Sequence, residues 1–297
     1  MYEELLPMLR SPVCGGSFRL ECLSASGDEI IDGSLVCDAG HSYAIRYGVV
    51  DFCSAEQDLA NNWSEAYKET DYDSLDLQIE NEKSAEEKRH DRLLLDRIAE
   101  ETVCLKQGTV VDIASGRGML LRALAARIDS PINLIATDLS FEVLKYDRLK
   151  LKKINPKLRA SYIACDASAL PLADSCADMT VSFFGIANML GLVEQGIGEA
   201  ARITKKGGSL LNASMLIKKA SNGFALVKQV CAEHGLAGEE AFYLQEGATA
   251  LHEKHFDSVV LDTACEGVKD GNENTTDLLP YPNEWYAEVI FKCTEPK

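Results

Sequence analysis

The chain has 297 residues, 46% of them hydrophobic, and its 30 lysines and arginines stand against 47 acidic residues for a net charge of −17. That is enough apolar material for one large core and a small accessory module, while the acid excess repels phosphate backbones and makes nucleic acid a disfavoured partner. The longest apolar region, 179–193, is interrupted by Ser182, Gly185, Asn188 and Gly191 and falls short of the ~18 residues that a membrane span requires.

The opening Met1-Tyr2-Glu3-Glu4-Leu5-Leu6-Pro7 is acidic and broken by proline, unlike a secretory leader. Ten cysteines without paired spacing suit reduced thiols in the cytoplasm. Residues 1–54 read as a small module rich in glycine and cysteine. In it, Ser11-Pro12-Val13-Cys14-Gly15-Gly16 and Cys37-Asp38-Ala39-Gly40-His41 resemble the two knuckles of a zinc ribbon, and residues 41–52 the strand-turn that closes one. Ser11 stands where such ribbons carry a cysteine, and a neutral hydroxyl is a poor zinc donor. Cys14, Cys37 and His41 remain, with Cys22 as a candidate fourth ligand. The expectation is a degenerate ribbon without metal, packed by its own small core.

Residues 55–105 are polar and charged, with acids and bases at helical spacing from Glu80 to Asp91; they read as a helical lid or linker with i,i+4 support. Leu93, Leu94, Leu95 and Ile98 give its last helix an apolar face. Trp63 and Tyr67, four apart, share a helix face and read as core anchors. From 106 to 297, strands near 109–113, 132–137, 158–164, 177–183 and 208–215 alternate with helices, which implies an α/β domain with a parallel sheet covered on both faces. The basic residues between Lys145 and Arg159 read as the solvated face of a surface helix. Strands near 257–263 and 285–293 follow without an intervening helix. Their long connection, 265–284, is predicted at the ligand edge of the sheet.

The chemistry concentrates in Val110-Val111-Asp112-Ile113-Ala114-Ser115-Gly116-Arg117-Gly118. A β-branched run leads into an acid, a glycine-punctuated turn and a helix, so that a ligand can lie against bare backbone. The next strand ends at Asp138, an interval suited to a carboxylate gripping ribose hydroxyls. No frame supplies the third glycine of a dinucleotide fingerprint, and no Lys-Ser or Lys-Thr follows as in a phosphate-binding P-loop. These residues point to a nucleoside-bearing ligand.

Four segments in order resemble the class I S-adenosylmethionine-dependent methyltransferases: Val111 to Gly118, Ala136-Thr137-Asp138-Leu139-Ser140, Cys165 to Asp174 with Cys176 to Ser182, and Glu199 to Leu210. Together they span roughly 108–215. The resemblance implies a Rossmann-like sheet ending in an antiparallel hairpin, with S-adenosylmethionine as cofactor. It implies that Asp112, Ala114, Ser115, Gly116 and Gly118 form the cofactor turn and that Asp138 accepts the ribose hydroxyls. Leu139 would then pack on the adenine, Asp166 and the Ala167 N–H would address its edge, and Phe183 would also contact the cofactor. A ribbon fused before such a domain is similar to large-subunit ribosomal RNA guanine methyltransferases. The apolar Phe183-Phe184-Gly185-Ile186-Ala187-Asn188-Met189 instead resembles quinone-biosynthesis-type enzymes and suggests an acceptor with an apolar body. The expected function is methyl transfer to a small molecule. The alternatives are the ribosomal RNA enzyme and a non-catalytic cofactor-binding scaffold. Neither the acceptor nor the oligomeric state is encoded legibly, and His90, His234, His252 and His255 offer possible bases without singling one out.

Overall fold

The computed structural model describes residues 1–53, 72–271 and 278–297; the Trp63–Tyr67 pair lies outside the described residues. Four N-terminal strands, β1 (Phe18–Ser26), β2 (Glu29–Cys37), β3 (Ser42–Arg46) and β4 (Val49–Asp51), precede two helices, α1 (Tyr72–Glu82) and α2 (Ala85–Cys104). A reciprocal capping box starts α2: the Ser84 hydroxyl accepts from the Glu87 N–H, and the Glu87 carboxylate accepts from the Ser84 N–H. Alternation then sets in, with β5 (Gly108–Asp112), α3 (Met119–Ala125), β6 (Ile132–Asp138), α4 (Phe141–Ile154), β7 (Arg159–Ala164), β8 (Ala177–Phe183), α5 (Val193–Ile203) and β9 (Thr204–Ile217). Helices α6 (Asn222–Glu233) and α7 (Gln245–Glu253) lead to the last two strands, β10 (Phe256–Val268) and β11 (Trp285–Pro296).

Among the described residues the strands form one sheet in the order β1-β2-β3-β4-β7-β6-β5-β8-β9-β11-β10. Strands β7, β6, β5, β8 and β9 are mutually parallel, whereas β11 is antiparallel to both β9 and β10. This is the Rossmann-like sheet with a terminal antiparallel hairpin. Its central strands are apolar on both sides because both faces are covered. Val110 and Leu134 pack with Leu94, Leu121 and Leu144 from α2, α3 and α4. Their neighbours Val111 and Ile135 pack on the opposite face in the core that holds Ile197 and Ala200 of α5.

Two expectations change. The N-terminal module does not stand apart: β4 pairs in parallel with β7, Val50 opposite Ile163, and continues the sheet. An uncovered β7 would be an edge strand with open hydrogen-bonding groups, and the module removes that edge. The basic residues of 145–159 are also not simply solvated. Arg148 Nε lies 2.7 Å from the buried Glu29, which Lys152 also contacts, and Arg159 pairs with Glu4 at 2.6 Å and with Asp28. Lys150 reaches Asp76 of α1. Local acids draw these bases inward, so the cluster joins the module and α1 to the domain. No described helix is long and apolar enough to cross a membrane.

Candidate functional site

The turn after β5 is tight because three of its residues take left-handed backbone: Ala114 (φ 53°), Gly116 (φ 54°) and Gly118 (φ 66°). As a residue with a Cβ, Ala114 carries about 1–2 kcal/mol of strain there. Two anchors hold the turn against β6. The Ser115 N–H donates to the Thr137 carbonyl at 2.8 Å, and the Asp138 carboxylate accepts from the Gly116 N–H at 2.8 Å and the Ser140 N–H at 2.9 Å. Asp138 is buried, and burial raises its carboxyl despite those donors.

The two glycines differ in what requires them. A Cβ built on Gly116 meets nothing within 4 Å, whereas one on Gly118 would lie 2.4 Å from Asp147 Oδ1. Gly116 leaves its backbone open, while Gly118 makes room for a buried carboxyl. Asp147 and Asp112 are both fully buried, and none of their oxygens has a hydrogen-bond partner among the described residues. Burial raises both well above the ordinary carboxylate range, and their proximity adds to the rise at Asp112. Asp112 therefore sits buried beneath the turn, in surroundings that disfavour its charge.

Above the turn is a cavity of about 310 Å³. Of the candidate residues, Ala114, Ser115, Gly116 and Phe183 line it, and Asp138 stands directly behind Gly116. Leu139, Asp166 and Ala167 flank it at the ends of β6 and β7 without lining it. Asp166 caps its own turn, accepting from the Ser168 N–H at 2.8 Å and hydroxyl at 2.7 Å. Phe184 reaches the cavity with a left-handed φ of 58°, a strained conformation for a bulky residue that is most often found at functional sites. The loop that follows β10 returns to the same edge, as predicted from strand direction, and places Leu278, Leu279 and Pro280 in the wall.

Sequence reasoning missed the opposite wall, formed by Lys83, Glu87 and Asp91 around the start of α2 and by Met215, Tyr243 and Glu288. Asp91 is paired with Lys83 at 2.5 Å, Glu87 with Lys269, and Arg117 with Asp76 at 3.4 Å. Glu288 is 4% exposed and, among the described residues, no cation lies within ion-pair distance of it. Its Oε2 is 3.7 Å from the Cys265 thiol. Burial first, then the charge of Asp91, pushes its carboxyl up to about 8. A signal was present: Glu288 interrupts the otherwise apolar run Trp285 to Phe291.

The histidines divide by surroundings. His90 is buried beside this wall, with Nδ1 2.9 Å from the Tyr286 hydroxyl and Nε2 2.9 Å from Arg89. Arg89 can only donate, so Nε2 accepts and the proton is on Nδ1. Cys265 and Glu288 lie within 4.8 Å of His90 as potential metal donors, but both ring nitrogens are already engaged. His252 is a core residue, stacked 4.2 Å from Phe291, bonded to Asn212 and Ala248, and lowered to about 4 by burial. His234 is exposed, and His255 faces Glu194 at 4.0 Å.

In the N-terminal module three donors converge: Cys14 and Cys37 sulfurs at 3.7 Å, and Cys37 sulfur and His41 Nδ1 at 3.3 Å. Cys22 does not join them; its thiol meets the Ser24 carbonyl at 3.6 Å on the exposed strand β1. The Ser11 hydroxyl caps the knuckle, accepting from the Val13 and Cys14 N–H groups at 3.4 Å. Three donors and an occupied hydroxyl do not complete a tetrahedral zinc set.

A parallel sheet with a glycine turn after one strand, a buried acid ending the next and an antiparallel final hairpin defines the Rossmann-like class I methyltransferase fold. The family described as a methyltransferase domain matches residues 110–208. Residues 110–208 therefore carry a methyltransferase domain. It is 32% identical over 103 residues to the ubiquinone/menaquinone biosynthesis C-methyltransferase UbiE of Citrobacter koseri, covering 35% of this chain and 41% of that protein. It is 30% identical over 108 residues to UbiE of Xylella fastidiosa, covering 36% and 42%. The chain thus matches less than half the length of these relatives. Among solved structures, the YcgJ protein of Bacillus subtilis superposes with a TM-score of 0.48 at 12% identity, covering 68% of this chain and 98% of that one.

Proposed function

We propose that the protein transfers the methyl group of S-adenosylmethionine to a small molecule with an apolar body. The observation that carries this reading is the cavity that begins on the open face of Gly116, a residue held in place by the buried Asp138. The residues fit the cofactor. Gly116 and Ser115 offer bare backbone, and Asp138 keeps lone pairs for the two ribose hydroxyls after accepting its two N–H bonds. Leu139 would cover one adenine face, and Asp166 with the Ala167 N–H would address its edge. When bound, the cofactor supplies a methyl carbon already activated by its sulfonium. The chain's own residues then orient the acceptor and exclude water. Phe183, Phe184, Met215 and Leu279 provide the apolar surface for both tasks. The place of the relatives in ubiquinone and menaquinone biosynthesis supports this choice of substrate class, and ten free thiols support the cytoplasm as its compartment.

Calorimetric titration with S-adenosylmethionine tests the reading. Asp138→Ala removes two charge-assisted hydrogen bonds worth about 1.5–3 kcal/mol each, so its affinity should fall at least a hundredfold. Absence of binding by the wild type, or equal binding by the variant, would end the proposal. The convergence of Cys14, Cys37 and His41 favours a second reading, the ribosomal RNA enzyme. That reading requires RNA affinity that falls steeply with salt, and the net charge of −17 weighs against it.

A further inference from the structure

Resting on the reading of the cavity as a methyltransferase site, we propose that Glu288 makes the acceptor end of the cavity a site for an organic cation: an amine or quaternary nitrogen carried on an apolar body. Three carboxylates, of Glu87, Asp91 and Glu288, face this end. Lysines neutralise two of them, Lys269 at Glu87 and Lys83 at Asp91. Among the described residues, Glu288 has only the Cys265 thiol as partner, at 3.7 Å. The groups around it are accounted for element by element. Strand β10 contributes Cys265, strand β11 the Tyr286 hydroxyl, and helix α2 Glu87, Asp91 and His90. The His90 Nδ1 meets Tyr286, and its Nε2 meets Arg89 at 2.9 Å and Glu86 at 3.7 Å, so that Arg89 pairs there and not with Glu288. Lys83 lies just before α2 and pairs with Asp91. A buried carboxyl without a cation stays protonated or recruits a positive charge. The facing surface is suited to a cation with a greasy body, since Phe183, Phe184 and Tyr243 supply aromatic rings and Met215 and Leu279 aliphatic surface. With a neutral acceptor in the same apolar space Glu288 stays a protonated carboxyl, whereas a cation draws out its charge and pairs with it.

Benzyltrimethylammonium tests this directly, because it has no titratable proton of its own and any pH dependence must come from the protein. Calorimetric titrations of the full chain, with and without saturating S-adenosylhomocysteine, compare it with the neutral isostere neopentylbenzene at pH 6.5 and pH 9. Since Glu288 ionises near pH 8, the cation should bind at least tenfold more tightly at pH 9 and release a proton on binding at pH 6.5. The neutral isostere should show neither effect. Glu288→Gln should abolish the pH dependence and lower cation affinity at pH 9 at least tenfold.

Equal binding of the cation and the isostere by the wild type, or a flat pH response, overturns the proposal without recourse to any variant. If Glu288→Gln instead weakens S-adenosylmethionine tenfold and spares S-adenosylhomocysteine, the carboxylate serves the cofactor's sulfonium and the proposal also fails. Failure of S-adenosylhomocysteine to bind at all would sink the methyltransferase reading, while the titration without it still reads the cation site.

Discussion

Gly118→Ala tests whether this glycine is required by packing, in contrast to Gly116, whose proposed role is to leave room for a ligand. At φ 66° an added Cβ costs about 1–2 kcal/mol through the left-handed backbone alone. The same Cβ would lie 2.4 Å from Asp147 Oδ1, about 1 Å inside ordinary contact, within a close-packed surround where overpacking adds about 1–3 kcal/mol. The single variant should therefore lose about 2–5 kcal/mol. Asp147→Ala removes both the obstacle and a buried carboxyl that has no partner among the described residues, so Gly118→Ala in that background should cost only the backbone share. Urea unfolding of the four proteins gives the coupling energy, expected at about 1–3 kcal/mol in favour of the double variant. Cofactor affinity in the double variant should match that of Asp147→Ala. Gly116→Ala should show the reverse pattern, with a stability loss of about 1–2 kcal/mol and cofactor affinity largely gone. Additive free energies within about 0.5 kcal/mol would refute the packing argument for Gly118.

Glu288 should also leave a signature in stability. Its folded pKa of about 8 stands above the 4.5 of an unperturbed glutamate, so its contribution is fully present below pH 4.5 and is lost as pH rises through 8. Wild type should therefore lose stability relative to Glu288→Gln by about 1.4 kcal/mol per pH unit across that window; parallel chemical-denaturation curves at pH 5 and pH 8 would contradict it. At the module boundary, Glu29→Gln strands the buried Arg148, and its cost should reach about 3 kcal/mol, read as a lower urea midpoint. Glu29 is held below the usual carboxylate range because the Arg148 and Lys152 bonds outweigh its burial. Its stabilisation is accordingly present above the unfolded pKa and should fade as pH falls through the folded one. A variant as stable as wild type would show that strand pairing alone docks the module.

Much of the molecule could be read from short stretches of chain. Val110 to Gly118 announced strand, turn and helix because β-branched residues, glycines and a following apolar run each constrain their own backbone. The position of Asp138 as the last residue of β6 was legible because an apolar run gives way there to a polar residue. The terminal hairpin followed from two strands without an intervening helix and from the family resemblance, and the return of its loop to the ligand edge of the sheet from strand direction.

What local pattern could not supply was who meets whom. Gly118 read only as part of a ligand turn, and the need to make room for Asp147 came into view when α4 brought that carboxyl against it. The basic run 145–159 looked solvated until Glu4, Asp28 and Glu29 arrived from the N-terminal strands. The wall opposite the glycine turn joins residues near 83–91 to residues near 279–288, and His90 and Tyr286 bond across 196 positions of chain. Sequence by itself determined the strands, turns and helices, since these answer to neighbours within a few residues. Only the tertiary structure decided which charges are buried without a partner, because burial and pairing depend on groups that the topology brings together from opposite ends of the chain.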